Sequence, residues 1–506
     1  MFRVILLGRN CEWPSLSSFG RARLKIIPFV NIMISRSKAK SFMPVTCLHS
    51  TVYLPIQTTK FPGKQILQYH ETHASMLSRS CSDVPQFYIQ ERDVNKEIMS
   101  KSRVQDYLEF YHDNKDRISL VNSITLLHRM AKIAHKYSEE KELLHAEMAK
   151  VKQGRESPYV DILDFIAENI SSCKAQGLAN VMWSLGKLEE ITHSLVRVCE
   201  EEILSHDFAL FHTSEVNQIL TGCAGLGLRE SPIFERVQES ILKEIIRISL
   251  CENRQIAGIL LAFTKVGCGS VEFYEHIEYE IARRGIKSFH NGQVAQFLYS
   301  FASQGMYSSI LFDIAEEEIL RRSTARLQRR ELVLILWSFA TAGRGSEDLF
   351  CLLGKEIADN KVRELYNIRL IWIIWSFATR GITDNKVYKV IASEIYGRGL
   401  KSLTNYELSL CMYSYALSEI PCHRFMEELS TEVLSRDSAH FDGGQLAQVA
   451  WASGKVGLTS PSLYSNLEQQ ILKLKISENE AAMISEGFRS ADMGSKELFS
   501  HLESVM

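Results

Sequence analysis

The stretch "LVLILWSFATAG" (Leu332–Gly343) is followed 38 residues later by "LIWIIWSFATRG" (Leu370–Gly381). With Trp337 and Trp375 as anchors, the same frame recurs at Trp183, Thr221, Leu261, Tyr299, Tyr413, Trp451 and Phe488. Successive intervals are 38, 40, 38, 38, 38, 38, 38 and 37 residues. A fixed period in this range is the signature of a solenoid, in which each unit is too small to bury its own apolar face and stacks on its neighbours.

The columns of the repeat explain its shape. Five residues before the anchor stand Leu178, Val216, Ile256, Val294, Leu332, Leu370, Leu408, Leu446 and Met483. Two after it comes a large ring at Phe263, Phe301, Phe339, Phe377 and Tyr415. Apolar positions at this spacing form one helical stripe. Three after the anchor the residue is small, as at Gly186, Ala302, Ala340 and Gly454, which lets a neighbouring helix come close. Six after it stands glycine at Gly227, Gly267, Gly305, Gly343, Gly381, Gly457 and Gly494, the residue that closes a helix in the left-handed conformation. Asn253, Asn291, Asn367 and Asn405, eight before the anchor, read as N-caps. A second stripe falls 12, 16 and 20 residues after the anchor, as in Phe273, Ile277 and Ile281, and marks a second helix. The fold class expected is all-α: a right-handed superhelical solenoid of about ten helical hairpins over residues 118–506. The first unit, 118–170, is degenerate, centres on His128 and carries an insertion.

The 506 residues carry a formal charge of −2, unevenly distributed. Residues 1–70 hold ten Lys/Arg and the single acid Glu12, which leaves −11 on the remainder. A basic, serine-bearing, acid-poor leader has the composition of an organellar transit peptide. The apolar run Val4–Leu7 is too short for the core of a secretory signal. Import into the mitochondrion is expected, with the plastid as the second choice. Residues 71–117 read as a linker with a short helix near Asp93–Tyr111. No apolar run approaches the roughly 20 residues that span a bilayer, so no membrane insertion is expected. The eleven cysteines include no CxxC pair and read as small core residues.

"QLAQVAWASGKVG" (Gln445–Gly457), "QVAQFLYSFASQG" (Gln293–Gly305) and "GLANVMWSLGKL" (Gly177–Leu188) resemble the repeats of octotricopeptide and heptatricopeptide organellar RNA-binding proteins. They also resemble the helical array of FAST-kinase-like mitochondrial proteins. The resemblance covers roughly residues 118–506. It implies binding of organellar rRNA or mRNA, in processing, stability, translation or ribosome assembly, alongside mitochondrial ribosomal or RNA-processing proteins. Many such proteins end in a RAP domain, whereas "KELFSHLESVM" (Lys496–Met506) reads as the second helix of the last unit. The expectation is binding without cleavage.

A surface that reads RNA is polar or aromatic and repeats in register. Three before the anchor stand Asn180, Gln218, Gln296, Trp372 and Gln448; six before it stand Gln255, Gln293, Arg369 and Gln445. Amides bond base edges and an indole stacks on a base. The competing reading is a solvated helix face. A basic column 23 after the anchor, Arg284, Arg322, Arg398 and Arg436, is thickened by Arg326, Arg329 and Arg330, and suits phosphates at one charge per repeat. Glu280, Glu318, Glu394 and Glu432 stand four residues earlier, so the same column also reads as helix-stabilising ion pairs. The acidic balance of the body favours a protein scaffold as the rival function. No phosphate loop, HExxH or GxSxG occurs. The pair His70 and His73 lacks further ligands, and the SxxK string at Ser184–Lys187 falls at the closing turn of a repeat helix. No enzyme activity, metal or cofactor is expected.

Overall fold

The computed structural model describes residues 86–506, apart from 308, 323, 360–361, 421 and 437–439. The basic leader and the His70/His73 pair lie outside the described residues. No strand occurs among the described residues. The chain opens with α1 (Gln86–Met99), α2 (Val104–Asn114), α3 (Leu120–Lys136), α4 (Ser138–Lys152) and α5 (Pro158–Glu168). Two helices stand where one was expected near Asp93–Tyr111. They belong to the fold rather than to a linker, because Val94, Ile98, Val104 and Tyr107 are fully buried in the same core as the array.

From there two ranks alternate. The A helices are α6 (Ala175–Leu188), α8 (Thr213–Leu226), α10 (Asn253–Val266), α12 (Asn291–Ser303), α14 (Arg329–Thr341), α16 (Asn367–Thr379), α18 (Asn405–Leu417), α20 (Gly443–Lys455) and α22 (Glu478–Ser490). The B helices are α7 (Leu195–Ser205), α9 (Pro232–Leu242), α11 (Val271–Arg284), α13 (Ser309–Arg321), α15 (Glu347–Ala358), α17 (Asn385–Arg398), α19 (His423–Ser435), α21 (Pro461–Ile471) and α23 (Lys496–Val505). Helices α3 and α5 form the first, divergent pair, and α4 is the insertion between them. Each A helix packs on the next A helix along its length, whereas successive B helices touch more sparsely, so the A rank is the tighter side of the stack.

Small residues set that closeness. A Cβ added to Gly186 would lie 2.4 Å from the Gly222 carbonyl oxygen, and one added to Gly454 would lie 2.2 Å from that of Gly487. At these two crossings backbone meets backbone, and no side chain larger than hydrogen fits. Between units, the ring two after the anchor meets a ring on the preceding B helix edge to face: Phe234–Phe263 at 5.2 Å, Phe312–Phe339 at 5.3 Å, Phe350–Phe377 at 5.3 Å and Tyr464–Phe488 at 5.0 Å.

That last pair corrects the register of the final unit. Phe488 occupies the place two after the anchor, so the anchor is Glu486. Asp492, at φ 55°, takes the left-handed closing position there, and Ala481 is fully buried where Met483 is only partly so. Glu189 and Glu419 close α6 and α18 in the same conformation, at φ 58° and 56°, while glycine closes the units ending at Gly227, Gly267, Gly305, Gly343, Gly381 and Gly457.

The caps also differ from expectation. Asn253, Asn291, Asn367 and Asn405 are the first residues of their helices, and the N-cap is one residue earlier. The Thr404 hydroxyl accepts the Glu407 amide at 3.2 Å, and the Thr404 amide donates to Glu407 Oε2 at 2.8 Å, which makes a reciprocal capping box.

Candidate nucleic-acid interface

The residue six before the anchor is the reciprocal member of that box. Gln255 Oε1 accepts the Glu252 amide at 2.8 Å, Gln293 Oε1 the His290 amide at 2.9 Å, and Gln445 Oε1 the Asp442 amide at 3.4 Å. Glu215, Glu331 and Glu407 do the same in their units. These amides hold orphan backbone donors of their own helices, which gives Gln255, Gln293 and Gln445 a structural task.

The basic column likewise serves the fold. Arg284 donates to the carbonyls of Ile248 and Cys251 and to Asn253 Oδ1, at 2.9, 2.7 and 2.8 Å. Arg322 reaches Ile286 O, Phe289 O and Asn291 Oδ1, and Arg398 reaches Val362 O, Leu365 O and Asn367 Oδ1. Arg436 reaches Leu400 O and Asn405 Oδ1. Each arginine also pairs with the glutamate one turn earlier, as Arg436 does with Glu432 at 2.8 Å. The end of each such B helix is thereby fastened to the turn that starts the A helix of its own unit. Hydrogen bonds from Arg283 and Arg284 hold the Glu280 carboxyl below its ordinary pKa, although burial pushes it the other way. The sequence contained a signal for this clamp: asparagine opens the A helix in the units that carry arginine 23 after the anchor, and Ala175, Thr213 and Gly443 stand there in units that carry His206, Glu244 and Leu474 instead.

Other expected residues stay on the A face. Gln218 Nε2 donates to Asn180 Oδ1 at 3.4 Å, an amide rung between α6 and α8. Gln296 is half-buried and Gln448 is buried. Rings stack in a column along the A helices, Tyr299–Trp337 at 5.2 Å and Trp337–Trp372 at 5.7 Å, where Trp372 stands three before its own anchor, and the anchors Tyr413 and Trp451 pair at 5.1 Å. Trp372 is therefore packed in that column and only 9% exposed. Arg326 is exposed, and Arg329 pairs with Glu364. Arg330 and Arg369 stand on neighbouring A helices, α14 and α16, and Arg369 is buried over the Tyr366 ring at 5.3 Å.

Charge separates the two ranks, which summing the whole body had hidden. The ten A helices, counting α3, carry eleven Lys/Arg and six Asp/Glu. Four of those six, Glu215, Glu331, Glu407 and Glu480, are tied into capping boxes. The ten B helices, counting α5, carry eleven Lys/Arg and 26 Asp/Glu. Cations that the repeat columns missed begin the A rank: Arg129, Lys132 and Lys136 on α3, then Lys187, whose ammonium lies 5.6 Å from the centre of the Trp183 ring. Trp183 in turn packs on His128 at 4.8 Å.

The sequence matches no protein-family model, and no curated protein aligns with it significantly. Among the described residues no group of three or more His, Cys, Asp or Glu side chains is placed to hold a metal ion, and no helix is long and apolar enough to cross a membrane. The Ser184 hydroxyl donates to the Asn180 carbonyl at 2.6 Å, so the SxxK serine is bonded within its own helix. Cys223 and Cys411 are buried free thiols whose pKa burial pushes up.

Proposed function

We propose that the chain is a right-handed superhelix with a period of about 38 residues that binds single-stranded RNA along its A rank, in the RNA metabolism of the mitochondrion. The observation that carries this reading is the division of charge: the tight rank is basic and lined by ring and amide side chains, and the outer rank is strongly acidic. RNA is a polyanion drawn to the first and repelled by the second. Unpaired bases stack on aromatic rings and bond amides, and the A helices carry the half-buried rings Trp183 and Tyr299 and the half-buried amides Asn180, Gln218 and Gln296. The role is binding rather than catalysis. Mitochondrial rRNA or mRNA is the RNA class in view, and the step is processing, stability or ribosome assembly.

The acidic B rank favours a second, compatible role. It suits basic partners such as mitochondrial ribosomal or RNA-processing proteins, with the solenoid acting as scaffold between RNA and protein. Crosslinking the native protein in isolated mitochondria, followed by sequencing of bound RNA and mapping of crosslinked peptides, tests the proposal. RNA attached to A-helix peptides is the expected result. Recovery of protein partners alone would leave the scaffold role only.

A further inference from the structure

The B helices keep their large apolar side chains inside, except at one place. Among the described residues five such side chains stand exposed on a B helix, and four of the five lie on the neighbours α11 and α13. They are Val271 and Tyr279 on α11, 60% and 70% exposed, and Ile310 and Leu320 on α13, 65% and 40% exposed. The fifth, Tyr396 on α17, packs its ring on Phe425 at 5.0 Å.

Helical spacing gathers the four on one side. Ile310, Asp313, Glu317 and Leu320 follow i, i+3, i+7 and i+10 and share the outward face of α13. The equivalent positions of α11, 38 residues earlier, are Glu272, Glu275 and Tyr279, with Val271 beside them, and all are exposed. The inward stripes, Phe273, Ile277 and Ile281 with Leu311, Ala315 and Ile319, are buried. Helices α11 and α13 also meet more sparsely than α9 meets α11 or α13 meets α15, which leaves a groove between their outward faces. Carboxylates rim it. The arginines of the two helices are taken by inner acids: Arg283 and Arg284 pair with Glu280, and Arg321 pairs with Glu318. Glu272, Glu275, Asp313 and Glu317 have no such partner among the described residues. The same outward positions read Asp348, Cys351 and Lys355 on α15 and Lys386, Lys389 and Ser393 on α17, so the acidic, apolar face ends at α13.

We infer that the groove between α11 and α13 docks a basic amphipathic helix of a partner protein. This rests on the scaffold role and gives it a place. Contiguous exposed apolar side chains rimmed by charge are the mark of an interaction surface. Val271, Tyr279, Ile310 and Leu320 meet the partner's apolar stripe, and the four carboxylates meet lysines or arginines along its edges. Charge selects the occupant: an acidic helix brings like charges together here, and the same carboxylates repel RNA. From Ile310 to Leu320 the helix advances about 15 Å, room for about three turns of the partner.

The test uses the full chain and a labelled helical peptide about 18 residues long, leucine on one face and lysine on the other, titrated by fluorescence anisotropy across a salt series. A scrambled peptide of the same composition is expected to bind about tenfold more weakly. Ile310→Ser and Tyr279→Ser, at exposed positions, are each expected to weaken binding about fivefold at every salt concentration with the melting temperature unchanged. Glu317→Lys is expected to weaken it about tenfold at low salt and less at high salt. Glu497→Lys makes the same charge change at an exposed position of α23 and is expected to alter binding by less than about twofold. Equal loss from Glu317→Lys and Glu497→Lys, with none from Ile310→Ser or Tyr279→Ser, overturns the site and leaves the acidic rank a diffuse attractor. Self-association of the unmodified chain that Ile310→Ser abolishes assigns the groove to a second copy and overturns the inference. Carbodiimide crosslinks within one chain that join the basic leader to Glu275 or Glu317 overturn it as well. An unmodified chain that binds neither peptide removes the site, whereas the scaffold role falls only if crosslinking in mitochondria returns no basic protein on B-helix peptides.

Discussion

The A rank and the B rank are runs of helices of similar length, stacked side by side, yet they differ in packing and in charge. A helices meet backbone to backbone at Gly186/Gly222 and Gly454/Gly487 and carry a surplus of cations. B helices lie farther apart and carry 26 acids against eleven bases. The rank that cannot tolerate a larger side chain at these two crossings is also the rank with the surplus of cations. The looser rank bears the acidic load. Under the proposed RNA-binding role, stability and recognition would lie in the same helices but on different faces.

The packing half of this contrast is the easier to break. Gly454→Val would force a β-branched side chain against the Gly487 backbone and is expected to cost about 3 kcal/mol or more, seen as early unfolding of the C-terminal units in thermal or proteolytic melts. A valine at Gly397, on the B rank with open space around its added Cβ, is expected to cost little by comparison. Next in size is the clamp. Arg436→Ala leaves Glu432, whose side chain is 11% exposed, without its partner, and is expected to destabilise by about 2–3 kcal/mol in chemical denaturation while RNA affinity stays the same. A lowered affinity with unchanged stability would instead make the column a phosphate track.

His128 sharpens the comparison through pH. Burial first, and then the charges of Lys132 and Arg129, lower its pKa from 6.5 to about 4. The folded state therefore favours the neutral ring. Its contribution is fully present above about pH 6.5 and is lost as the pH falls from there toward 4. Because water still reaches part of the ring, the loss is expected to be about 1 kcal/mol, and His128→Phe should flatten the stability slope in that window. Smallest of all, neutralising an exposed B-rank acid with Glu317→Gln is expected to change stability by less than about 0.5 kcal/mol and RNA affinity not at all.

Much of the array was legible because burial writes itself into the sequence at fixed spacing. Leu332, Leu370, Phe339 and Phe377 could be placed in the core from periodicity alone, and all are at most 1% exposed. What was misplaced depended on backbone bonding that periodicity does not carry. Asn367 looks like an N-cap because asparagine often is one, but its side chain serves Arg398 Nη1 and the Ser402 turn. Gln255 and Gln445 stand at a repeating polar position that suits both base reading and capping, and the capping task shows only once the cap is located one residue earlier. Gly494 drew the closing turn of the last unit two residues too far, since glutamate and aspartate also take the left-handed conformation in this chain. At the candidate interface, Arg330 and Arg369 were visible as basic residues. The burial of Arg369 over the Tyr366 ring was not, because it depends on how the turn before α16 folds.

The salt dependence of RNA binding tests the central claim most directly. Single-strand affinity would be measured across a salt series for the unmodified chain, for Lys187→Gln and Lys455→Gln on the A rank, and for a matched pair of B-rank cation variants, Lys386→Gln and Lys389→Gln. If RNA lies along the A rank, each A-rank variant lowers the slope of log affinity on log salt by about 0.7 and each B-rank variant leaves it unchanged. Equal loss from both ranks, or loss from the B rank alone, would contradict the account.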